Sequence, residues 1–347
     1  MKLHFAFLVT VLPIFCQSQV VLKADGPGNT YELINSVLAP GNEAVEHPEC
    51  IHGAFGRHIA EVWDEDLKEN VFEFYSHVTP DNDRCEKLDR QRVEIKSYEP
   101  SPDNLKGTLG ETVTYKWKFK LPKGFQPSGS FTHLHQIKAV GGSQDLPIFT
   151  LTARKSKINQ LLVTHNNETT VASADLSEFE GVWVEITEKI KIGANGTYSI
   201  TIKKVKNGEE LLSFSSNDLM TIRPDNDFIR PKWGIYRSLN DAGNLRDEAV
   251  RFSSFSIQEV ANLGVNTNNL EDNTISISNP FDNNIELSDA ILKKYNTLQL
   301  FDISGKKLLE INSLTAKIEV SNLKSGLYII QFYSDGNKSK PIKIIKK

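Results

Sequence analysis

Polar and apolar residues alternate along three short segments of the chain, Arg90–Lys96, His135–Lys138 and Lys232–Arg237. An alternation with period two predicts β-strands, because successive side chains of a strand point to opposite faces of a sheet. One face should enter a core with Val93, Ile95, Ile137, Trp233 and Ile235. The other face should carry Arg92, Glu94, Gln136, Lys138, Lys232 and Tyr236. The pattern therefore predicts a sheet face that presents cations, an amide and a phenol.

Short runs of the same kind recur through residues 19–260, whereas helical periodicity is scarce. Glycine turn signals such as Asn195-Gly196 and Asn207-Gly208 separate several of them. The candidate strands are Val71–Tyr75, Arg92–Ser97, Thr112–Leu121, Phe131–Ala139, Ile148–Ala153, Gln160–His165, Gly181–Ile190, Tyr198–Val205, Lys232–Arg237 and Val250–Glu259. Many strands joined by hairpin turns predict an all-β fold, a β-sandwich of the jelly-roll type.

Composition adds two limits to this picture. With 347 residues, 39% hydrophobic and 24% charged, the chain has the make-up of a globular protein with more than one domain. The formal net charge of -4 gives no sign of nucleic-acid binding. An anionic ligand would therefore have to be met by a local cluster of cations.

The first 18 residues have the pattern of a secretory signal peptide. A lysine at position 2 precedes the apolar run Phe5–Phe15, and a cleavage region of small and polar residues ends at Ser18. The apolar run is too short to span a bilayer comfortably. Phe15 is bulkier than the residue that lipidation of Cys16 would need, so we expect cleavage near Ser18 and no lipid anchor.

Two cysteines, Cys50 and Cys85, remain after removal of the signal. In an oxidising, exported setting they are expected to form one disulfide. The alternative is that both cysteines are buried as free thiols. A disulfide would connect the N-terminal region to the segment that leads into the Arg92 strand.

The composition changes near residue 260. All ten arginines lie between Arg57 and Arg251, whereas residues 261–347 contain 11 lysines and 9 acidic residues. The stretch 261–273 is rich in asparagine and predicts a linker. Beyond it, short alternating runs and the turn signal Ser304-Gly305 predict a small β-module over residues 274–347.

The motifs of this module resemble the type IX secretion sorting domain. They are Asn279-Pro280-Phe281, Leu298–Lys306, Leu323–Tyr328 and a basic tail that ends at Lys347. The resemblance implies the type IX secretion machinery as a partner, followed by release or attachment at the cell surface. A small carbohydrate-binding domain is the alternative, but no cluster of exposed aromatics is evident for it.

The three alternating segments resemble the jelly-roll polysaccharide lyases. They read R-x-E-x-K at 92–96, Q-I-K at 136–138 and K-x-G-x-Y at 232–236. Gly181–Glu185 is similar to the branch of glucuronan, heparin I-type and ulvan lyases. Asp89–Arg92, Phe131–Gln136, the two cysteines and the attached sorting module are most similar to ulvan lyase of polysaccharide-lyase family 28.

The resemblance implies a secreted monomer that acts on a sulfated, uronate-containing anionic polysaccharide, most similar to ulvan, by β-elimination. Glucuronan- or heparin-type lyases and a non-catalytic carbohydrate-binding sandwich are the alternatives. A glycoside hydrolase would need two carboxylates across a cleft. The predicted face offers only Glu94, which is better placed to orient Arg92 or Lys96.

A lyase must neutralise the uronate carboxylate, remove the C5 proton and protonate the leaving oxygen. We expect Arg92 and Gln136 at the carboxylate. Tyr236 matches the family's catalytic tyrosine and is expected to protonate the leaving oxygen. Lys138 stands where the alginate enzymes have histidine, and our first hypothesis makes it the base. The rival hypothesis gives both proton transfers to Tyr236 and leaves Lys138 as a neutraliser.

Three further residues are expected to contact substrate: His135, Arg154 and Arg237. The two arginines could equally be solvated charges at strand edges. His133 and His135 have the parity of the core face, which is typical of buried, hydrogen-bonded histidines. A β-bulge would place His135 on the polar face instead.

No metal site and no required cofactor are predicted. The spacing of His52, His58 and His77 matches no compact ligand set, which favours loop histidines. Structural calcium stays open at two sequences, Pro80–Asp83 and Pro224–Asp227, which both read P-D-N-D. Asp and Asn after proline form turns more often than metal sites.

Overall fold

The computed structural model describes residues 19–166, 169–260, 277, 279–302, 306–334, 337–339 and 341–347. The chain divides into two compact units, Met1–Ala261 and Asn262–Lys347. The predicted signal peptide at 1–18 and the predicted linker at 261–273 lie outside the described residues. Among the helices in the described residues, none is long and apolar enough to cross a membrane.

The first unit is built from strands with two short helices near its N-terminus. The helices are α1 (Thr30–Leu38) and α2 (Glu49–His52), and single 3-10 turns lie at Asp103–Leu105, Leu176–Phe179 and Ala242–Asn244. The strands are β1 (Gln19–Leu22), β2 (Val45–Glu46), β3 (Ile59–Asp64), β4 (Glu69–Ser76), β5 (Arg90–Lys96), β6 (Thr112–Lys120), β7 (Thr132–Val140), β8 (Phe149–Arg154), β9 (Gln160–His165), β10 (Thr169–Asp175), β11 (Val184–Lys191), β12 (Gly196–Lys204), β13 (Glu210–Leu219), β14 (Phe228–Ser238) and β15 (Glu248–Val260).

These strands form two antiparallel sheets. The first sheet has the order β13-β12-β11-β6-β15-β4-β3, with β1 paired to β15. The second sheet has the order β10-β9-β8-β7-β14-β5-β2. Non-consecutive neighbours such as β7-β14-β5 arise because the chain crosses between the sheets, as it does in a jelly roll. The predicted all-β jelly-roll class is confirmed.

The alternation of side chains explains why the sheets pack together. Strand β6 sends Tyr115, Trp117 and Phe119 into the core, while its intervening lysines remain outside. Trp233 from β14 meets Trp117 there, with 6.0 Å between the ring centroids. The burial of each large aromatic side chain in this layer stabilises the sandwich by roughly 2–3 kcal/mol. The second sheet therefore has one face fixed in the core and the other free for chemistry.

The two cysteines of the first unit form the predicted disulfide. Cys50 lies in α2, Cys85 lies in the loop before β5, and their Cα atoms are 6.3 Å apart. The bond links α2 to the loop that leads into β5. The prediction of a Cys50–Cys85 disulfide is confirmed.

The second unit is also β-rich. It contains β16 (Asn284–Glu286), α3 (Asp289–Lys294), β17 (Thr297–Asp302), β18 (Lys307–Ile311), β19 (Lys317–Glu319), β20 (Gly326–Ser334), β21 (Asn337–Lys338) and β22 (Ile342–Lys346). One sheet has the order β18-β17-β20-β21 with β22 paired to β20, and β16 pairs with β19. Phe281, Leu298, Ile330 and Phe332 are buried in its own hydrophobic core.

Candidate active site on the second sheet

The outer face of the second sheet carries the polar residues that the alternation predicted, together with others. We call it the polar face. Its central strands β5, β14 and β7 are neighbours, flanked by β2 and β8. Its charged and hydrogen-bonding side chains are those of Glu46, Arg92, Glu94, Lys96, His133, Gln136, Lys138, Arg154, Arg230, Lys232 and Tyr236.

A β-bulge at Gly234 sets which residues share this face. Strand β14 pairs with β5 without interruption, but its register with β7 shifts between Trp233 and Tyr236. Gly234 has φ +147°, and a Cβ there would lie 2.1 Å from the Val93 carbonyl oxygen. Only glycine fits this close approach of two backbones. The bulge places Tyr236 opposite His133 on the polar face.

Arg92 is held by carboxylates from three directions. Its Nε and Nη2 donate to the two carboxylate oxygens of Asp83 at 2.9 and 3.1 Å. Its Nη1 donates to Glu94 at 2.7 Å and to Glu46 at 3.4 Å. These carboxylates raise the pKa of Arg92 although burial acts in the opposite direction. The guanidinium is thus fixed before any ligand arrives.

Glu46, from the short strand β2, completes a group that we call the ion-paired cluster: Glu46, Asp83, Arg92, Glu94, Lys96 and Lys232. Lys232 donates to Glu46 and lies 3.6 Å from Glu94, and Lys96 donates to Glu46 at 2.9 Å. Burial would raise the pKa of Glu46, but Lys232, Arg92 and Lys96 hold it well below its usual range. The charges of this cluster satisfy one another.

Gln136 is also committed to this cluster. It is 2% exposed, and its Nε2 donates to Glu94 at 2.6 Å. Arg92 and Gln136, both predicted at the substrate carboxylate, therefore share Glu94 as a common acceptor. The predicted role of Glu94 in orienting Arg92 agrees with the 2.7 Å contact. The donors of both residues already have protein partners.

His133 is a site residue that sequence reasoning placed wrongly. The bulge brings it onto the polar face, where its ring lies 5.8 Å from that of Tyr236 and stacks on Phe131 at 4.9 Å. Burial, reinforced by Arg92 and Arg154, lowers the pKa of His133 to about 3. Its Nδ1 is buried and has no hydrogen-bond partner within the described part of the chain. His133 is therefore a neutral imidazole with one buried ring nitrogen that lacks a hydrogen-bond partner among the described residues.

Two half-buried arginines on the same face also have unused donors. Arg154 ends β8, and Arg230 lies opposite Lys138 in the β14–β7 register. Among the residues that the structure describes, none accepts a hydrogen bond from Nε of Arg154 or from Nε and Nη1 of Arg230. Burial lowers the pKa of Arg230. Buried donors without a partner cost free energy, so a bound anion would stabilise both side chains.

Lys138 lies on the polar face as predicted. Burial and the nearby Arg230 and Arg92 lower its pKa to about 8. Its Nζ donates to the Asp145 carbonyl oxygen at 2.6 Å. That carbonyl belongs to the loop 141–147, which is held by the bonds from Ser143 N and Oγ to Asp225 at 2.7 Å. Lys138, His133, Arg154 and Arg230 form what we call the open cluster.

Tyr236 lies between the two clusters. The guanidinium carbon of Arg92 is 3.6 Å from the centroid of its ring, an arrangement typical of a cation–π contact. Its hydroxyl accepts a hydrogen bond from Arg90 Nη1 at 3.0 Å. The phenol is therefore positioned by two arginines from the neighbouring strand β5.

Two predicted substrate contacts are wrong. His135 is buried on the core side, where Nδ1 meets the Lys232 carbonyl oxygen at 2.8 Å and Nε2 meets Glu188 at 2.9 Å. Arg237 is fully buried and donates to Gln91 and to the Arg246 carbonyl oxygen. The physical reason is alternation: Arg237 follows Tyr236 in the strand and so points to the opposite face. The bulge moves His133 and leaves His135 in the core.

The histidines near the disulfide are brought together, contrary to the inference from their spacing. His52, His58 and His77 converge on Asp81, with one donor atom from each within 4.8 Å of the others. In the first P-D-N-D sequence, Asp81 lies against the three histidines and Asp83 accepts a hydrogen bond from Arg92. In the second, Asp225 accepts hydrogen bonds from Ser143.

Two surface depressions lie away from the polar face. Their volumes are about 370 and 410 Å³. Three of the charged groups that line the second are already paired, since Arg251 donates to Glu73 and Lys120 donates to Asp66. The first is lined by Gln126, Pro127, Lys155, Asn159, Gly243, Asn244 and Leu245. The open donors and the titrating lysine lie on the polar face, so we place the candidate site there.

Several solved structures have a similar fold at low sequence identity. An endo-β-1,4-glucuronan lyase from the fungus Trichoderma reesei is 16% identical, with a TM-score of 0.41, over 58% of this chain and 86% of that one. A marine alginate lyase from Aplysia kurodai is 12% identical, with a TM-score of 0.46, over 69% and 98%. An alginate lyase of polysaccharide lyase family 7 is 15% identical, with a TM-score of 0.44, over 62% and 93%.

No curated protein sequence matches the chain. The C-terminal part does match a family: residues 259–347 correspond to the secretion system C-terminal sorting domain. This match bears out the type IX sorting module predicted from the motifs around Asn279 and Leu323. The chain therefore carries the sorting signal of type IX secretion and is exported to the cell surface or the extracellular space.

Proposed function

We propose that the first unit is a polysaccharide lyase that cleaves a uronate-containing chain by β-elimination. One observation carries the proposal: the open cluster places buried, unpartnered cationic donors beside a lysine whose pKa is lowered to about 8 and a positioned phenol. Cations without protein partners suit an anionic ligand. A lysine near neutrality and a phenol supply the two proton transfers that elimination needs.

The proposed step is a β-elimination across C4 and C5 of a uronate residue. Neutral Lys138 removes the C5 proton of the uronate, and the electron pair forms the C4–C5 double bond. The C4–O bond breaks, and Tyr236 gives its proton to the leaving oxygen. The products are an unsaturated uronate end and a new chain end, and the lysine returns its proton to solvent while the tyrosine regains one.

The geometry favours Lys138 over Tyr236 as the base. The pKa of about 8 leaves a useful fraction of neutral amine near pH 7–8. Lys232 also lies on the polar face, but its amine is buried against Glu46 and Glu94. Lys138 is less buried than Lys232, and its amine bonds a loop carbonyl and, within the described residues, no carboxylate. The rival hypothesis, with Tyr236 as both base and acid, predicts residual activity in Lys138 variants.

The neutralising role is reassigned within this proposal. Arg92 and Gln136 donate to Glu94, so they act as positioning residues, and Arg92 orients the Tyr236 ring. The unpaired N–H groups of Arg230 would instead donate to the uronate carboxylate. Arg154 would bind a further anionic group of the polymer.

The substrate proposed within this class is ulvan, which alternates sulfated rhamnose with uronic acids. The open cluster holds cationic donors on three strands, β7, β8 and β14. A sulfated chain supplies anions for these donors beyond the single carboxylate of the cleaved residue. Glucuronan- and heparin-type substrates are the competing choices.

The test is to incubate the purified protein with ulvan, glucuronan, heparin and alginate, and to follow the ultraviolet absorbance of unsaturated uronate. Absorbance growth with ulvan, absent in Tyr236→Phe, is the expected result. Growth only with another polymer would overturn ulvan while keeping the lyase. New reducing ends without absorbance would indicate a hydrolase, and binding alone would indicate a carbohydrate-binding sandwich.

A further inference from the structure

A second cluster of functional side chains lies beside the disulfide. His52 comes from α2, His58 directly precedes β3, and His77 and Asp81 come from the segment after β4. Asp81 Oδ1 is 2.6 Å from His52 Nδ1 and 3.2 Å from His58 Nε2. Asp81 Oδ2 is 3.1 Å from His77 Nδ1. Three imidazoles from different segments thus converge on one carboxylate.

The ligand atoms of the four side chains lie within 4.8 Å of one another, close enough for one small cation to draw them together. Donor atoms of a tetrahedral zinc ion lie about 3.3 Å apart, because each Zn–N or Zn–O bond is about 2.0–2.1 Å long. His58 Nε2 and His52 Nδ1 are 3.4 Å apart, and the contacts with Asp81 are 2.6 to 3.2 Å. A single ion could therefore touch all four side chains after small rotations.

The surroundings also fit a bound metal. His58 is 0% exposed, and its Nδ1 lies 3.8 Å from Glu49 Oε1. A carboxylate near the outer nitrogen of a ligating histidine is a common feature of metal sites. Phe55 packs its ring 4.3 to 5.4 Å from the three imidazoles, which limits access of water.

We propose that His52, His58, His77 and Asp81 bind one Zn²⁺ ion. Nitrogen and carboxylate ligands suit zinc, whereas calcium prefers oxygen ligands alone. Four protein ligands fill a tetrahedral shell, so the ion has a structural role and no open position for substrate. The ion is therefore not expected to take part in the reaction.

The ion would fix the segment that supports the candidate active site. Only one residue separates Asp81 from Asp83, whose two carboxylate oxygens accept hydrogen bonds from Arg92. The Cys50–Cys85 disulfide closes the same region from the other side. The zinc site and the disulfide together would hold the loop that orients Arg92 and, through it, Tyr236.

The experiment measures the metal content of the full exported protein by mass spectrometry after purification without added metal. One equivalent of zinc per chain is the expected result. A strong chelator should lower the unfolding temperature by about 10 °C, and added Zn²⁺ should restore it. Less than a tenth of an equivalent, together with no uptake of added Zn²⁺, would overturn the proposal, and another metal in place of zinc would overturn the choice of zinc.

Two variants keep the test independent of folding failures. His77→Ala removes a ligand whose side chain is 16% exposed, and it should lose most of the bound zinc while still folding, as judged by circular dichroism. His165→Ala is the matched control. His165 ends β9, outside the proposed site, and its Nε2 contacts the Met220 carbonyl oxygen. Equal zinc contents in both variants would contradict the assignment. Neither readout depends on the substrate, so failure here leaves the proposed lyase activity untouched.

Discussion

The ion-paired cluster and the open cluster occupy the same sheet face but differ in how their charges are balanced. In the first, the carboxylates of Glu46, Asp83 and Glu94 accept hydrogen bonds from arginine and lysine. In the second, Arg154 and Arg230 have buried N–H groups that find no hydrogen-bond acceptor among the described residues. One cluster balances its own charges, and in the other the two arginines lack protein acceptors for several of their N–H groups.

This difference shows how one face can combine rigidity with binding. Carboxylates that surround Arg92 keep it in place, so the Tyr236 ring beneath it is positioned in advance. Cations without carboxylates keep Lys138 partly neutral and attract an anionic chain. Acidic residues in the open cluster would remove both properties.

The largest effect is expected for Tyr236→Phe, which removes the phenolic proton but keeps the ring under Arg92. We expect activity to fall about 10³-fold, because general acid catalysis contributes rate factors of this size. Initial rates of absorbance growth measure it. Tyr75→Phe, on the first sheet where the hydroxyl bonds Glu73, is the control. If the activity of Tyr236→Phe stayed within tenfold of wild type, Tyr236 would not be the general acid.

Lys138→Ala should lower activity about 10²-fold or more, since it removes the base from the open cluster. The wild-type rate should rise as the pH increases through about 8, because the neutral amine is the active form. This rise should be absent in the variant. Lys203→Ala, an exposed lysine of the first sheet, is the control. Substantial activity in Lys138→Ala with an unchanged pH profile would favour Tyr236 as the base.

Glu46→Gln should damage the ion-paired cluster by removing the charge that balances Lys232. Breaking such a buried pair costs about 3 kcal/mol in the free energy of unfolding. The pKa of Glu46 is lowered in the folded chain, so its contribution is present above its usual pKa near 4.5 and is lost as the pH falls below it. Denaturant titrations at pH 7 and pH 3 measure this.

The control for that titration is Glu32→Gln. Glu32 pairs with Arg57 at the surface, where both side chains are well exposed, and its loss should change stability little. If Glu46→Gln were as stable as Glu32→Gln at pH 7, the balance of charges would not hold the cluster together. A stability gap that widens towards low pH would contradict the sign of the pKa shift.

The smallest effect is expected for Arg154→Ala, which removes one unpartnered cation at the edge of the open cluster. The KM for the polymer should rise about fivefold with kcat nearly unchanged, since a half-buried charged hydrogen bond contributes about 1 kcal/mol. Added salt should shrink the difference because it screens the charges. A fall in kcat at constant KM would place Arg154 in the chemical step instead.

Alternation alone predicted most of the polar face. Arg92, Gln136, Lys138 and Tyr236 lie where period two puts them, because β14 pairs with β5 without interruption and the His135–Lys138 part of β7 is regular. The error at Arg237 had another source, since this arginine was chosen for being next to Tyr236. Its parity alone would have excluded it.

Features that depend on pairing between distant segments could not be predicted in the same way. His133 reaches the face because the register of β7 shifts against both of its neighbours, β14 and β8. Glu46 comes from a two-residue strand that no periodicity can reveal. The histidines around Asp81 come from three different segments, so their spacing in the sequence does not reveal the distances between their ring nitrogens. Gly234 in the K-x-G-x-Y motif was the one visible signal for the bulge.

The bulge at Gly234 has a consequence for insertions and deletions. Strand β14 keeps one register with β5 and another with β7, and the difference is a single residue between Trp233 and Tyr236. Loss of one residue there would turn Tyr236 towards the core and bring Arg237 outward. Side chains along the face can be exchanged one at a time to alter what is bound, but the length of this short stretch has to stay constant.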